Sequence, residues 1–93
     1  MSVEPIPIAL VTAPGCHFCD DAMETLEALS DDFPITVEVI PLASDAGRAW
    51  VVEHRVPFPP ILIVDGAFFG FGRISRRRLE GRLTDLHAAR VVS

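Results

Sequence analysis

The residues best suited to chemistry are Cys16 and Cys19, the only two cysteines of the 93-residue chain, in a Cys-x-x-Cys spacing. They follow an apolar run that predicts a strand and precede a segment that predicts a helix. A thiolate is the nucleophile in disulfide exchange, and the unpaired N–H groups of a helix N-terminus favour the ionised form of a cysteine placed there. Cys16 is therefore the predicted nucleophile. Cys19 lies one helical turn later on the same face, close enough to form a disulfide, and is the predicted resolving thiol.

Zinc binding and a purely structural role are the alternatives for this cysteine pair. A zinc site would need a second pair of ligands, and the histidines at positions 17, 54 and 87 do not have the usual spacing. His17 lies between the cysteines, where its charge would favour the Cys16 thiolate. We therefore interpret His17 as a modulator of the thiol, and we predict redox chemistry and no metal site.

Length, composition and charge limit the class of protein. The chain is long enough for one domain, residues 1–93, and its 49% hydrophobic and 23% charged residues are typical of a folded globular protein. The formal net charge of −5 disfavours nucleic acid and anionic membranes as principal partners. Met1–Pro5 lacks the positive charge of a secretory signal, and Ile6–Val11 is too short to span a membrane, so we expect a cytoplasmic protein.

The apolar pattern predicts the elements that position the cysteines. The predicted strands are Ile6–Val11, Ile35–Ile40, Ile61–Val64 and Ala67–Gly70. The predicted helices cover residues 17–30, a segment capped by Ser44 or Asp45, and a segment capped by Ser75. Asp65-Gly66 predicts a hairpin turn. Together they predict an α/β fold of order β-α-β-α-β-β-α, with a mixed four-stranded sheet flanked by helices.

The patterns of the last two helices predict which faces are buried. In the second helix the apolar spacing places Trp50 toward the sheet, on a face with Ala46, Ala49 and Glu53. In the third helix the buried stripe is Leu79, Leu83 and Leu86.

Three arginines in the first turn of the last helix, Arg76, Arg77 and Arg78, do not follow from helix propensity, because the dipole disfavours cations there. They form either a solvated face or a site for an anion or an acidic partner beside the cysteines.

The order of elements, with Cys-x-x-Cys at the start of the first helix, resembles the thioredoxin superfamily and, within it, the short glutaredoxin-like proteins. The resemblance covers nearly the whole chain and lies in the Pro14-Gly15-Cys16-His17-Phe18-Cys19 segment, the proline before the third strand, and a glycine pair after the hairpin. In that family a cis-proline precedes the hairpin glycine by six positions. Counting back from Gly66 selects Pro60 rather than Pro57 or Pro59.

The resemblance also implies a substrate-binding set around Cys16 and Cys19. The family's cis-proline faces the cysteines, and the residue before it offers backbone hydrogen bonds to a bound thiol. Here that residue, Pro59, has a carbonyl to accept a hydrogen bond but no N–H to donate. The implied substrate-binding residues are His17, Phe18, Pro59, Pro60 and Gly70.

Departures from the family pattern concern the part that binds glutathione. The chain has no lysine before the first cysteine, and Phe18 after His17 replaces the usual tyrosine after proline. The glycine pair is spread as Gly70-Phe71-Gly72 and is followed by Arg73. These departures affect glutathione specificity more than dithiol chemistry, so the reductant is left open.

The sequence therefore predicts a monomeric thiol–disulfide oxidoreductase of glutaredoxin-like type with no bound cofactor. Its expected substrates are disulfides of proteins or mixed disulfides of low-molecular-weight thiols, reduced through the Cys-x-x-Cys dithiol. Glutathione or another low-molecular-weight thiol is the candidate reductant, and a reductase is a further candidate partner. The alternatives are an iron–sulfur cluster carrier and a non-catalytic binding module that uses the aromatic run from Phe68 to Phe71.

Overall fold

Four strands and three helices alternate along residues 4–92, the part of the chain that the computed structural model describes. In chain order they are β1 (Ile6–Thr12), α1 (His17–Leu29), β2 (Ile35–Pro41), α2 (Asp45–His54), β3 (Ile61–Val64), β4 (Ala67–Phe71) and α3 (Arg76–Val92). The predicted order is confirmed, and each strand boundary lies within one residue of its prediction. Met1, Ser2, Val3 and Ser93, which the single-domain prediction for residues 1–93 includes, lie outside the described residues.

The strands form one mixed sheet of order β2-β1-β3-β4, which confirms the predicted fold class. β1 is parallel to β2, whereas β3 is antiparallel to both β1 and β4. Val11 lies opposite Ile61, and Ile61 lies opposite Phe71. The end of β1, the start of β3 and the end of β4 therefore share one edge of the sheet.

Side chains of β1 alternate between two apolar clusters, as expected for a central strand with helices on both faces. On one face Ile8 and Leu10 pack with Leu26 of α1 and Leu83 of α3, and all four side chains are buried. On the other face Val11 joins a smaller cluster whose remaining buried members are Val56, Ile61 and Ile63. Full burial of each such side chain contributes about 1.5–3 kcal/mol to the free energy of unfolding. This packing fixes the position of α1 relative to β1, and therefore also the position of the segment that connects them.

The predicted buried face of α2 is wrong except for Trp50. Trp50 and Val51 are half-buried against the second cluster, and Gly47 is the buried residue of the helix. A Cβ at Gly47 would lie 2.8 Å from the carbonyl oxygen of Leu42. The helix therefore packs through its glycine against the end of β2, and its buried face is rotated relative to the predicted one. The other members of the predicted face are exposed: Ala46, Ala49 and Glu53.

The third helix begins as its sequence predicts. The Arg78 N–H donates a hydrogen bond to Ser75 Oγ at 3.3 Å, so Ser75 caps the helix. Leu79 and Leu83 are fully buried and Leu86 is half-buried, which confirms the leucine stripe. Within residues 4–92, no helix is long and apolar enough to cross a membrane.

Candidate active site

The two cysteines are joined by a disulfide at the start of α1, with their Cα atoms 5.2 Å apart. Cys16 is the N-cap of the helix: its carbonyl oxygen accepts from the Asp20 N–H at 3.2 Å, and its Sγ accepts from the Cys19 N–H at 3.1 Å. Gly15 supplies the positive φ of +70° in the turn from β1 to α1. The backbone thus aims an N–H group and the positive end of the helix dipole at the Cys16 sulfur.

The two cysteines differ in their access to solvent. Cys19 is buried, with 4% of its surface exposed, whereas Cys16 is half-buried. A disulfide or thiol of another molecule therefore reaches Cys16 more readily than Cys19. This asymmetry suits the predicted division into an attacking and a resolving thiol.

A cis peptide bond between Pro59 and Pro60 faces the disulfide, so the predicted position of the cis bond is confirmed. The Pro59 carbonyl oxygen lies 3.8 Å from Cys16 Sγ, and Pro60 is buried. The contact joins the start of α1 to the segment that enters β3. The shared edge of the sheet brings these segments together, because β1 ends and β3 begins there.

Gly72, the second glycine of the Gly70-Phe71-Gly72 run, lies beside this proline pair. Its N–H donates to the Pro60 carbonyl at 2.8 Å, and its φ is +65°. A Cβ at Gly72 would lie 2.5 Å from the Phe58 ring, so both conformation and space favour glycine there. Gly70 lies within β4 opposite Leu62, and its role in substrate binding stays a prediction.

His17 and Phe18 occupy the first turn of α1, and both are exposed, Phe18 by 42%. Of the predicted site residues, the structure brings three into one cluster: Cys16, Pro59 and Pro60. Cys19 lies on the buried side of Cys16. His17 and Phe18 adjoin that cluster on the solvent side.

An apolar cleft of about 630 Å³, which we call the α2 cleft, adjoins the disulfide through Pro14 and Pro59. Its walls come from the segment after β1, the segment after β2, α2 and the segment before the cis bond. Apolar lining residues include Ala13, Pro14, Leu42, Val51, Phe58 and Pro59. The apolar Pro57-Phe58-Pro59 run before the cis-proline is the sequence signal for this cleft, which the predicted elements do not include.

Exposed aromatic rings extend this apolar surface from Phe58, in the wall of the cleft, to the end of β4. Phe58 and Phe71 pack edge to face, with ring centroids 5.5 Å apart, and are 48% and 39% exposed. An exposed apolar surface beside a reactive group is typical of a surface that contacts another molecule. Among the described residues, no group of three or more His, Cys, Asp or Glu side chains is placed to hold a metal ion.

Comparison with protein-family models and with curated proteins finds no match. Solved structures do match. A mutant thioredoxin from Halobacterium salinarum has a TM-score of 0.65 at 19% identity, over 90% of this chain and 76% of that one. A thioredoxin-like protein from Clostridium perfringens has a TM-score of 0.68 at 13% identity, over 91% and 73%. A glutaredoxin from Francisella tularensis has a TM-score of 0.54 at 18% identity, over 87% of this chain and 95% of that one.

These similarities show that the chain has a thioredoxin-like fold. They include both thioredoxins and a glutaredoxin, at identities of 13–19%, so they establish the fold rather than the type of protein. Taken with the Cys16–Cys19 pair, the fold supports thiol–disulfide oxidoreductase activity.

Proposed function

We propose that this protein is a dithiol oxidoreductase of glutaredoxin-like type, which reduces disulfides through Cys16 and Cys19. The observation that carries the proposal is the half-buried Cys16 at the N-terminus of α1, linked to buried Cys19 and 3.8 Å from the Pro59 carbonyl oxygen. This arrangement presents one sulfur to a partner, stabilises its thiolate by the helix N-terminus, and keeps the second sulfur within bonding distance.

The reaction is a two-step exchange that passes two electrons to the substrate. In the first step the Cys16 thiolate attacks one substrate sulfur, a mixed disulfide forms, and the other substrate sulfur leaves as a thiolate, which takes a proton from water. In the second step the Cys19 thiolate attacks Cys16 Sγ, the second substrate thiolate leaves, and the Cys16–Cys19 disulfide forms. A dithiol, or two molecules of a low-molecular-weight thiol such as glutathione, then returns two electrons to the pair.

The residues around the pair have proposed roles in holding the mixed disulfide. The Pro59 carbonyl accepts a backbone hydrogen bond from the bound substrate, and Pro60 keeps that carbonyl facing Cys16. His17 and Phe18 contact the substrate from the exposed side. The apolar α2 cleft beside Pro59 supports a polypeptide substrate, because an apolar surface is complementary to apolar side chains rather than to a small polar thiol.

Cys19→Ser tests the proposed sequence of steps directly. Without the resolving sulfur the first step still occurs, so we expect the variant to accumulate a stable mixed disulfide with a disulfide-bearing peptide. Mass spectrometry of the intact protein, after acid quenching and alkylation, measures the adduct and locates it on Cys16. An adduct-free Cys19→Ser protein would contradict the proposal, provided that alkylation shows a free Cys16 thiol.

A further inference from the structure

A cluster of positively charged residues begins just after β4, at the end of the sheet beside which the disulfide lies. Five of the eight basic residues of the chain stand between positions 73 and 82, where the only carboxylate is Glu80. The formal net charge of the whole chain is nevertheless −5, so the rest of the molecule is strongly acidic. We call these five exposed residues the arginine surface: Arg73, Arg76, Arg77, Arg78 and Arg82.

The backbone places this surface beside the cysteines. Arg73 directly follows Gly72, whose N–H donates to the Pro60 carbonyl at 2.8 Å, and the preceding Pro59 carbonyl lies 3.8 Å from Cys16 Sγ. α3 then begins at Arg76. Because an α-helix rises about 1.5 Å per residue, Arg82 lies roughly 9 Å further along α3. The arginine surface therefore runs from the rim of the candidate active site along one helix.

The stability of the fold does not account for this surface. A helix N-terminus disfavours cations, and like charges four residues apart, as at Arg78 and Arg82, repel one another, so these arginines lower the stability of α3. Arg76 pairs with Glu80 at 2.9 Å, and within residues 4–92 it is the only member of the surface in an ion pair. That pair is exposed on both sides, and such pairs contribute little.

Two of the arginines are held in place by an aromatic ring. The guanidinium groups of Arg78 and Arg82 lie 5.4 and 5.7 Å from the centroid of the Phe69 ring. Cation–π contacts of this kind fix the side chains while leaving their N–H groups free to donate. Fixed guanidinium groups lose less conformational entropy when they bind a carboxylate.

We propose that the arginine surface docks an acidic segment of the polypeptide that exchanges electrons with Cys16. Guanidinium groups bind carboxylates through paired hydrogen bonds, and Arg78 and Arg82, one turn apart on the same face of α3, offer two such groups side by side over the Phe69 ring. The acidic remainder of the molecule repels a long polyanion such as nucleic acid, which favours a short acidic segment. The inference rests on the proposed function for the identity of the partner, but docking itself requires no thiol chemistry.

Equilibrium binding tests the docking step without any exchange reaction. The probes are two fluorescently labelled, cysteine-free peptides of equal length, one with alternating Asp and Glu among glycines and one with Asn and Gln in their place. At low ionic strength we expect the acidic peptide to bind the full chain about tenfold more tightly, and we expect salt to remove the difference. An Arg73→Gln/Arg77→Gln variant, which changes two exposed arginines without an ion pair in the described structure, should weaken the preference, with Arg76, Arg78 and Arg82 retaining part of it.

Arg55→Gln is the matched control, because Arg55 is also exposed and belongs to neither the arginine surface nor the α2 cleft. Arg55→Gln should keep the preference, and the single variant Arg77→Gln should weaken it. Circular dichroism verifies that each variant is folded. Equal binding of both peptides, or an unchanged preference in Arg73→Gln/Arg77→Gln, would overturn the proposal. So would tighter binding of a single-stranded oligonucleotide of matched charge, because it would assign the surface to nucleic acid.

A kinetic experiment distinguishes failure of the docking proposal from failure of the proposed function. The same peptides, each extended by one cysteine in a mixed disulfide with the same small aromatic thiol, are reduced by the dithiol protein in single turnover. We expect about tenfold faster reduction of the acidic peptide at low ionic strength. If the acidic peptide binds preferentially but no peptide disulfide is reduced, the docking surface stands and the proposed function fails.

Discussion

Cys16→Ser is expected to reduce disulfide exchange to the uncatalysed rate. A serine hydroxyl at this position is not ionised at neutral pH and cannot form a mixed disulfide, so the first step has no nucleophile. Cys19 cannot replace it, because Cys19 is only 4% exposed and lies behind Cys16. The measurement is single-turnover reduction of a disulfide-bearing peptide by the reduced protein, followed by release of a chromophoric thiol.

The substitution is informative because it conserves the local fold. Serine is a favoured helix N-cap, and its oxygen can accept the Cys19 N–H bond that Cys16 Sγ accepts now. Loss of exchange would therefore report chemistry rather than unfolding of α1. Cys19→Ser is the matched control, since it should still release one equivalent of thiol. Normal turnover by Cys16→Ser would rule out Cys16 as the nucleophile.

Gly47→Ala is expected to lower the free energy of unfolding by about 2–3 kcal/mol, the cost of overpacking a site that cannot relax. A Cβ there would collide with the backbone carbonyl oxygens of Pro41 and Leu42, 2.8 Å away in the case of Leu42. Backbone atoms cannot turn aside as a side chain can, so α2 must move away from the end of β2. Urea denaturation followed by Trp50 fluorescence measures the change.

Gly81→Ala is the matched helical control, because a Cβ at Gly81 meets nothing within 4 Å. It should raise the free energy of unfolding by about 0.5–1 kcal/mol, since alanine has less conformational freedom to lose than glycine. Opposite signs for the two substitutions would support the packing of α2 through Gly47. If Gly47→Ala also stabilised the protein, the close approach of α2 to the end of β2 would be wrong.

The sequence predicts those parts of the fold for which a residue pattern is compatible with only one local structure. The continuous apolar run at Ile6–Val11 predicts a central strand because both faces must be covered. Ser75 predicts a helix start because its side chain can cap one, and the hydrogen bond from the Arg78 N–H confirms it. The six-residue interval before Gly66 locates the cis bond at Pro60, but that inference came from the family resemblance.

The sequence does not predict features set by close approach of distant segments. The buried face of α2 could not be predicted, because a glycine interrupts an apolar pattern. In the structure Gly47 is nevertheless the residue through which α2 packs against the end of β2. The α2 cleft depends on how three connecting segments diverge, which no periodicity encodes. The sequence shows Gly72 as part of the glycine pair, but not why it must be glycine, because the steric requirement comes from Phe58, fourteen positions earlier in the chain.

The redox equilibrium of Cys16 and Cys19 in buffered thiol–disulfide mixtures shows whether the pair is redox-active. The fraction oxidised is read by mass after alkylation, which measures formation of the pair and its potential together. We predict a reversible two-electron couple between about −180 and −270 mV, the range spanned by thioredoxin, glutaredoxins and protein disulfide isomerase. A pair that never forms a disulfide across these mixtures would contradict the proposed function and leave a thioredoxin-like fold without redox chemistry.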